Sequence, residues 1–253
     1  MLLSDSLARS PLLLPTLVAG VFLLAGLVKG VVGMGLPTVA LGLLALWMSP
    51  AEAAALLIWP SLLTNLWQMQ PWGRLAAMLR RLWPMQAGVV AGTLSGAWAF
   101  GGLGGAWAPV ALGGALVVYA LWGLAGRRLS VAPRAEPVWG PLVGIATGLV
   151  TAATGVFVLP AVPYLQALRW SSEELIQAMG ISFTVSTLAL AAGLRFGSAQ
   201  VDMPWGLSLA MLVPALAGMA LGAALRRRLS PALFRRCFFL GLLALGAHML
   251  LRG

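Results

Sequence analysis

Lys29 is the only lysine of the chain, and it stands inside a long apolar run, "LVKGVVGMGLP", from Leu27 to Pro37. An ammonium in hydrocarbon costs roughly 2.5–3.5 kcal/mol on insertion scales. Gly30, Gly33, Gly35 and Pro37 follow it and should interrupt a helix. A buried cation beside an interrupted helix suits one chemistry above others, which is to hold an anion. A second interruption, "TGVFVLP" from Thr154 to Pro160, repeats the glycine and the proline at Gly155 and Pro160 without the charge. Pro37, and Pro160 with Pro163 behind it, are expected in the first turn of the helix after each break, where a missing N–H has no partner to lose. Helix N-termini carry partial positive charge and free N–H donors, which attract anions.

Hydroxyls and amides complete the candidate set. Thr64, Asn65 and Gln68 share one segment, and Ser182, Thr184, Ser186 and Thr187 share another. Asn65, Thr187 and Thr154 (with Thr151 beside it) are expected to line a cavity; the competing expectation is that such groups bond their own helix. The substrate-binding set is therefore Lys29, Gly33, Gly35, Pro37, Asn65, Thr154, Gly155, Pro160 and Thr187. All six acids lie at segment ends or in loops, so no mid-membrane carboxylate offers a metal site. Glu52, Glu173 and Glu174 read as helix-start charges, with Ser49, Ser171 and Ser172 as caps. With one histidine, one cysteine and no paired carboxylates, the chain has no catalytic constellation. No G-x-x-x-x-G-K-[ST] loop is present, and no cofactor is expected. Cys237 reads as a small core filler, and His248 as interfacial.

These residues need a scaffold, and its class follows from composition. Of 253 residues 60% are hydrophobic and only 9% charged, against about 25% charged in soluble domains; mean hydropathy is +0.95. This is an all-α polytopic membrane protein with the lipid bilayer as its solvent. The net charge of +10 sits in short clusters between apolar runs, as the positive-inside rule places cytoplasmic loops, and excludes nucleic acid as the partner. The N-terminal stretch lacks a basic n-region and an A-x-A-like site, and reads as a retained first segment.

The pattern then repeats. Residues 11–125 form a first transmembrane repeat, 126–137 a basic cytoplasmic linker and 138–253 a second repeat, offset by about 122 residues. "MSPAE" (Met48–Glu52) matches "WSSEE" (Trp170–Glu174), and Gly88–Gly96 resembles Pro214–Gly222; the glycine-spaced segments Gly88–Gly96 and Gly218–Gly222 are expected in tight helix contacts. Each repeat is a broken-helix hairpin plus three transmembrane helices near Glu52–Gln68, Leu82–Phe100 and Ala106–Leu124, then Glu174–Leu194, Met203–Leu225 and Ala232–Leu250. Three crossings per repeat invert the second copy. That topology puts twelve of the sixteen basic residues inside, leaves Arg9, Arg195 and Arg252 outside with both termini, and keeps Lys29 in the membrane. Inverted repeats with discontinuous helices place a site where the breaks meet near the midplane.

"GLVKGVVGMGLPTVALGLLALWMSPAEAAALLIWPSLLTNLWQ" and "GIATGLVTAATGVFVLPAVPYLQALRWSSEELIQAMGISFTVSTLAL" resemble the two signatures of the sulfite exporter TauE/SafE family of transporters. The resemblance implies a carrier in the cell inner membrane for small sulfur-containing anions such as sulfite, sulfonates or sulfoacetate-like compounds. Carried over, the first break is Gly30, Gly33, Gly35 and Pro37, and the second is Gly148, Gly155 and Pro160. Further family glycines commonly stand near Ala152, Ala153 and Phe157, so a bulkier second tip is expected here. The function expected is a secondary transporter working by alternating access. An anion channel, or a membrane partner subunit that moves nothing itself, is the alternative.

Overall fold

The computed structural model describes residues 13–126, 129–196, 204–226, 228 and 230–252. Arg9, Arg127, Arg128 and Arg227, placed by the charge argument, and Asp5 and Asp202, read at segment ends or in loops, lie outside them. Among the described residues every regular element is helical: α1 (Leu13–Val32), α2 (Leu36–Leu44), α3 (Pro50–Gln68), α4 (Leu75–Phe100), α5 (Ala108–Ala125), α6 (Glu136–Thr154), α7 (Ala161–Ala167), α8 (Ser172–Phe196), α9 (Trp205–Ala210), α10 (Leu212–Leu225) and α11 (Pro231–Arg252). Among the described residues six segments are long and apolar enough to cross a membrane: α1, α5, α6, α8, the pair α9–α10, and α11. The chain is a multi-pass membrane protein. α3, which buries Thr64 and Asn65, and α4, which carries Arg80 and Arg81 and buries Gln86 and Thr93, are less apolar.

The breaks fall at the glycines. α1 ends where Gly33 (φ 82°) donates its N–H to the Lys29 carbonyl at 2.8 Å, and Gly35 (φ 104°) caps the start of α2. Left-handed φ values of this kind favour glycine. α6 ends the same way at Gly155 (φ 71°), whose N–H donates to the Thr151 carbonyl at 2.7 Å. After each break comes a half-length limb, α2 of 9 residues and α7 of 7, too short to cross. Pro37 stands in the first turn of α2, as expected. Pro160 does not stand inside its helix: it is the residue before α7, and Pro163 takes the first-turn position. Gly30 and Gly148 are not break residues either, since both lie within helices and serve packing.

The next long helix in each half starts with the same cap. Ser49 and Glu52 form a reciprocal capping box on α3. Ser171 accepts the Glu174 N–H at 3.2 Å while its own N–H donates to the Glu174 carboxylate at 2.9 Å. Ser172 is the first helical residue rather than the cap.

Glycine decides how the helices pack. A Cβ on Gly218 would lie 2.0 Å from the Leu23 carbonyl oxygen, and one on Gly92 would lie 2.3 Å from that of Ile145. A Cβ on Gly222 would meet the Leu27 carbonyl at 2.2 Å, and one on Gly96 would meet the Leu149 side chain at 3.3 Å. α10 on α1 and α4 on α6 are thus the same crossing made twice, each joining the broken helix of one half to the glycine helix of the other. Both pairs run parallel: Gly26 faces Ala215 and Gly30 faces Gly222, as Gly88 faces Pro141 and Gly96 faces Ala152. The matching helices α3 and α8 run antiparallel, with Gly180 against Asn65 and Gln177 against Met69 and Pro71. So do α5 and α11, where Gly113 faces Met249 and Gly123 faces Phe239.

Three further expectations need correction. α4 starts at Leu75, not Leu82, and carries Arg80 and Arg81 on its first turns, continuing through Pro84. The segment Met203–Leu225 is two helices meeting at Met211, because Pro214 has no N–H for the Ala210 carbonyl and fits only a first turn. Cys237 is exposed, since α11 turns Phe238 and Phe239 inward instead.

The crossings generate a test. Gly92→Val and Gly218→Val should each lower stability by about 1–3 kcal/mol through overpacking, read as a fall in the melting temperature of purified protein. Gly114→Ala, where a Cβ meets nothing within 4 Å, should leave it unchanged or slightly raised. Equal losses at all three positions would mean that helix packing does not limit stability.

Candidate functional site

Lys29 lies one turn before the first break and is only 3% exposed. Its side chain crosses to α3, where the ammonium donates to Thr64 Oγ1 at 3.0 Å and to Asn65 Oδ1. Thr64 gives its single hydroxyl proton to the Pro60 carbonyl at 2.6 Å, so toward Lys29 it can only accept. Asn65 is fully buried and presents its oxygen to the ammonium, while its Nδ2 has no partner. Among the described residues, two of the three ammonium N–H bonds are used, and both acceptors are neutral. The ion pair found among those residues is Arg81–Glu136 at 2.6 Å, between the start of α4 and the start of α6. Burying a charge without an opposite charge is unfavourable unless something compensates it.

α3 is built to present these groups. Pro60 inside it lacks the N–H that the Leu56 carbonyl would accept. Ser208 on α9 supplies the donor, with its hydroxyl 2.8 Å from that carbonyl. At the C-terminal end of α3, Gln68 Nε2 donates to the Gly33 carbonyl at 3.0 Å and to that of Ile176 at 3.2 Å. Gln177 on α8 returns the link, donating to the Met69 and Pro71 carbonyls at 2.7 and 2.9 Å. The backbone groups freed by the first break, and by the end of α3, are therefore taken up by glutamines from both halves of the chain.

The second break is buried and abuts the first hairpin. A Cβ on Gly155 would lie 2.8 Å from Leu41 on α2. Phe157, where the resemblance led us to expect a bulkier tip, is buried and packs on Phe183 with ring centroids 5.4 Å apart. In this half Ser182 accepts from Gln86 Nε2 at 2.8 Å, the buried Ser186 hydroxyl has no partner among the described residues, and the threonines bond their own helices. Thr154 donates to the Val150 carbonyl and accepts the Val156 N–H, Thr187 donates to Phe183, Thr184 to Gly180 and Thr151 to Thr147. They can offer a ligand lone pairs but no proton without breaking those bonds.

Of the nine expected site residues, Lys29 and Asn65 touch, Gly33 joins them through Gln68, and Gly155 reaches the hairpin limb that Gly35 and Pro37 begin. No hydrogen bond among the described residues links Lys29 to Thr154, Gly155, Pro160 or Thr187. Thr64 is the direct partner that sequence reasoning ranked too low. Ser61 and Thr38, buried with unpartnered hydroxyls, were not singled out. Their signal was spacing: Ser61 precedes Asn65 by one helical turn, and Thr38 follows Pro37 directly.

Two comparisons bear on this geometry. A family model described as "Sulfite exporter TauE/SafE" matches residues 18–249, which includes both breaks and every residue discussed above as a candidate. No curated protein and no solved structure matches the chain.

The Lys29–Asn65 contact is testable apart from any transport. Asn65→Leu leaves the ammonium with one protein partner and should destabilise the fold by about 1–3 kcal/mol. The double variant Lys29→Met with Asn65→Leu should be more stable than Asn65→Leu alone. Additive losses in unfolding measurements would show that the two side chains are not coupled.

Proposed function

The chain belongs to the sulfite exporter TauE/SafE family, a family of transporters, and from that premise we propose that it carries small anions across the cell inner membrane. Sulfur oxyanions and organic sulfonates are the substrate class. One observation carries the reading: the Lys29 ammonium is buried against two neutral acceptors, with an unpartnered Asn65 amide beside it. A guest anion would take the remaining ammonium N–H and the amide N–H bonds, and would supply the missing negative charge. Charge-assisted hydrogen bonds of this kind contribute about 1.5–3 kcal/mol each.

The proposed cycle is alternating access between two inverted copies, residues 11–125 and 138–253 joined by a basic linker. Matched helices that pack antiparallel, α3 with α8 and α5 with α11, support the inversion, as does the doubled parallel crossing of α1 with α10 and α4 with α6. Lys29 and Asn65 are buried, so exchange with water requires one part to move against another. In this reading the basic clusters face the cytoplasm and both termini face outward. The membrane potential then favours anion export, by about 2.3 kcal/mol per charge per 100 mV.

Lys29→Met should insert and fold normally yet lose sulfite flux in proteoliposomes by about tenfold or more, the loss of at least one charge-assisted bond. Wild-type flux should saturate and show counter-exchange. Full flux in Lys29→Met would remove the lysine from the site, and a linear, non-exchanging flux would replace the carrier with a channel.

A further inference from the structure

Apart from Lys29, a second feature of the molecule fits an anion. A cleft of about 900 Å³ opens among the first break, α5, the linker, the second hairpin and α11, and both halves of the chain wall it. That volume lies within the range of small-molecule sites. Two arginines line it from different elements: Arg169, between α7 and α8, and Arg235 on α11. No acidic residue is among the described residues of its wall. The rest of the wall mixes aliphatic and small residues with the aromatic rings of Trp122, Trp170 and Phe239, and includes Met34 of the first break. Arg169 holds φ 55°, a left-handed conformation that a non-glycine residue rarely adopts and that often marks a functional position.

We propose that this cleft is a separate station for an organic anion, whose head group pairs with Arg169 and Arg235 while its apolar body lies against Trp122, Trp170 and Phe239. Guanidinium forks match sulfonate and carboxylate oxygens. Aromatic walls discriminate by the body attached to them, which an inorganic anion does not have. The station rests on the reading that the protein handles anions, and would receive or release them on the face that bears the basic clusters. An acidic lipid headgroup shares this chemistry, so the test separates the two sources.

The test is calorimetric titration of the full chain in nanodiscs, with and without phosphatidylglycerol, using benzenesulfonate, methanesulfonate and sulfite. Benzenesulfonate should bind more tightly than methanesulfonate. Arg169→Asn, which tolerates the left-handed backbone, and Arg235→Gln should each weaken it about tenfold, the size of one charge-assisted contact. Lys29→Met should lose sulfite binding and keep benzenesulfonate. The proposal falls if both arginine variants bind benzenesulfonate as wild type does, or if Lys29→Met loses both ligands together. It also falls if phosphatidylglycerol abolishes benzenesulfonate binding, which would make the cleft a lipid seat. Sulfite binding that depends on Lys29 survives each of these failures, the joint loss included, which would place both ligands at the lysine. Sulfite binding unchanged in Lys29→Met would sink the lysine site and leave the cleft standing.

Discussion

An ammonium surrounded by neutral oxygens is the constraint on which the rest of this molecule depends. Thr64 and Asn65 satisfy its geometry but leave its charge uncompensated. At an effective dielectric of about 20, an opposite charge 4 Å away would contribute roughly 4 kcal/mol. In the proposed site that imbalance would select by sign, because a cation would meet repulsion and an anion attraction. Neighbouring features serve to hold the ammonium in place: the capping box fixes where α3 starts, and Ser208 repairs the ladder at Pro60. Gln68 binds the end of α1 to α3 and α8.

The glycine crossings bear on how such a site could be opened. At Gly218, Gly222, Gly92 and Gly148 the space a Cβ would need is already filled by backbone of the facing helix. Surfaces in such close contact cannot slide over each other without losing dispersion contacts along the crossing. Each broken helix is therefore fastened to the other half's glycine helix. The α3–α8 contact is of a different kind, since long glutamine side chains span it. Rearrangement in the proposed cycle has more freedom there, because flexible amides can exchange one carbonyl for another.

Much of this was legible in the sequence, and the reasons differ by element. The breaks at Gly33–Gly35 and Gly155 could be read because left-handed backbone at a helix end demands glycine in a way few other constraints do. The caps at Ser49 and Ser171 could be read from serine and glutamate three residues apart. Lys29 stood out because a charge in an apolar run has so few benign explanations. What stayed hidden depends on contacts between distant segments. Nothing local distinguishes Gly30 or Gly148, which pack, from Gly33, which turns. Thr64 and Thr187 look alike in sequence, yet one accepts from an ammonium while the other donates to its own helix. Cys237, read as a core filler, is exposed: α11 is weakly amphipathic, so its inward face is set by neighbours rather than by pattern.

The two halves differ most where the chemistry is. The position 122 residues beyond Lys29 is Thr151, and the one beyond Asn65 is Thr187; each bonds the helix that carries it. A lysine at position 151 would put a second buried cation one turn before Gly155, which abuts Leu41 of the first hairpin. Two like charges in one poorly solvated interior repel, and each would depress the other's protonation. One ammonium, set in one of the two proposed copies, avoids that repulsion. In the proposed cycle, a single charge carried by one copy alone suits reversible binding of a small anion.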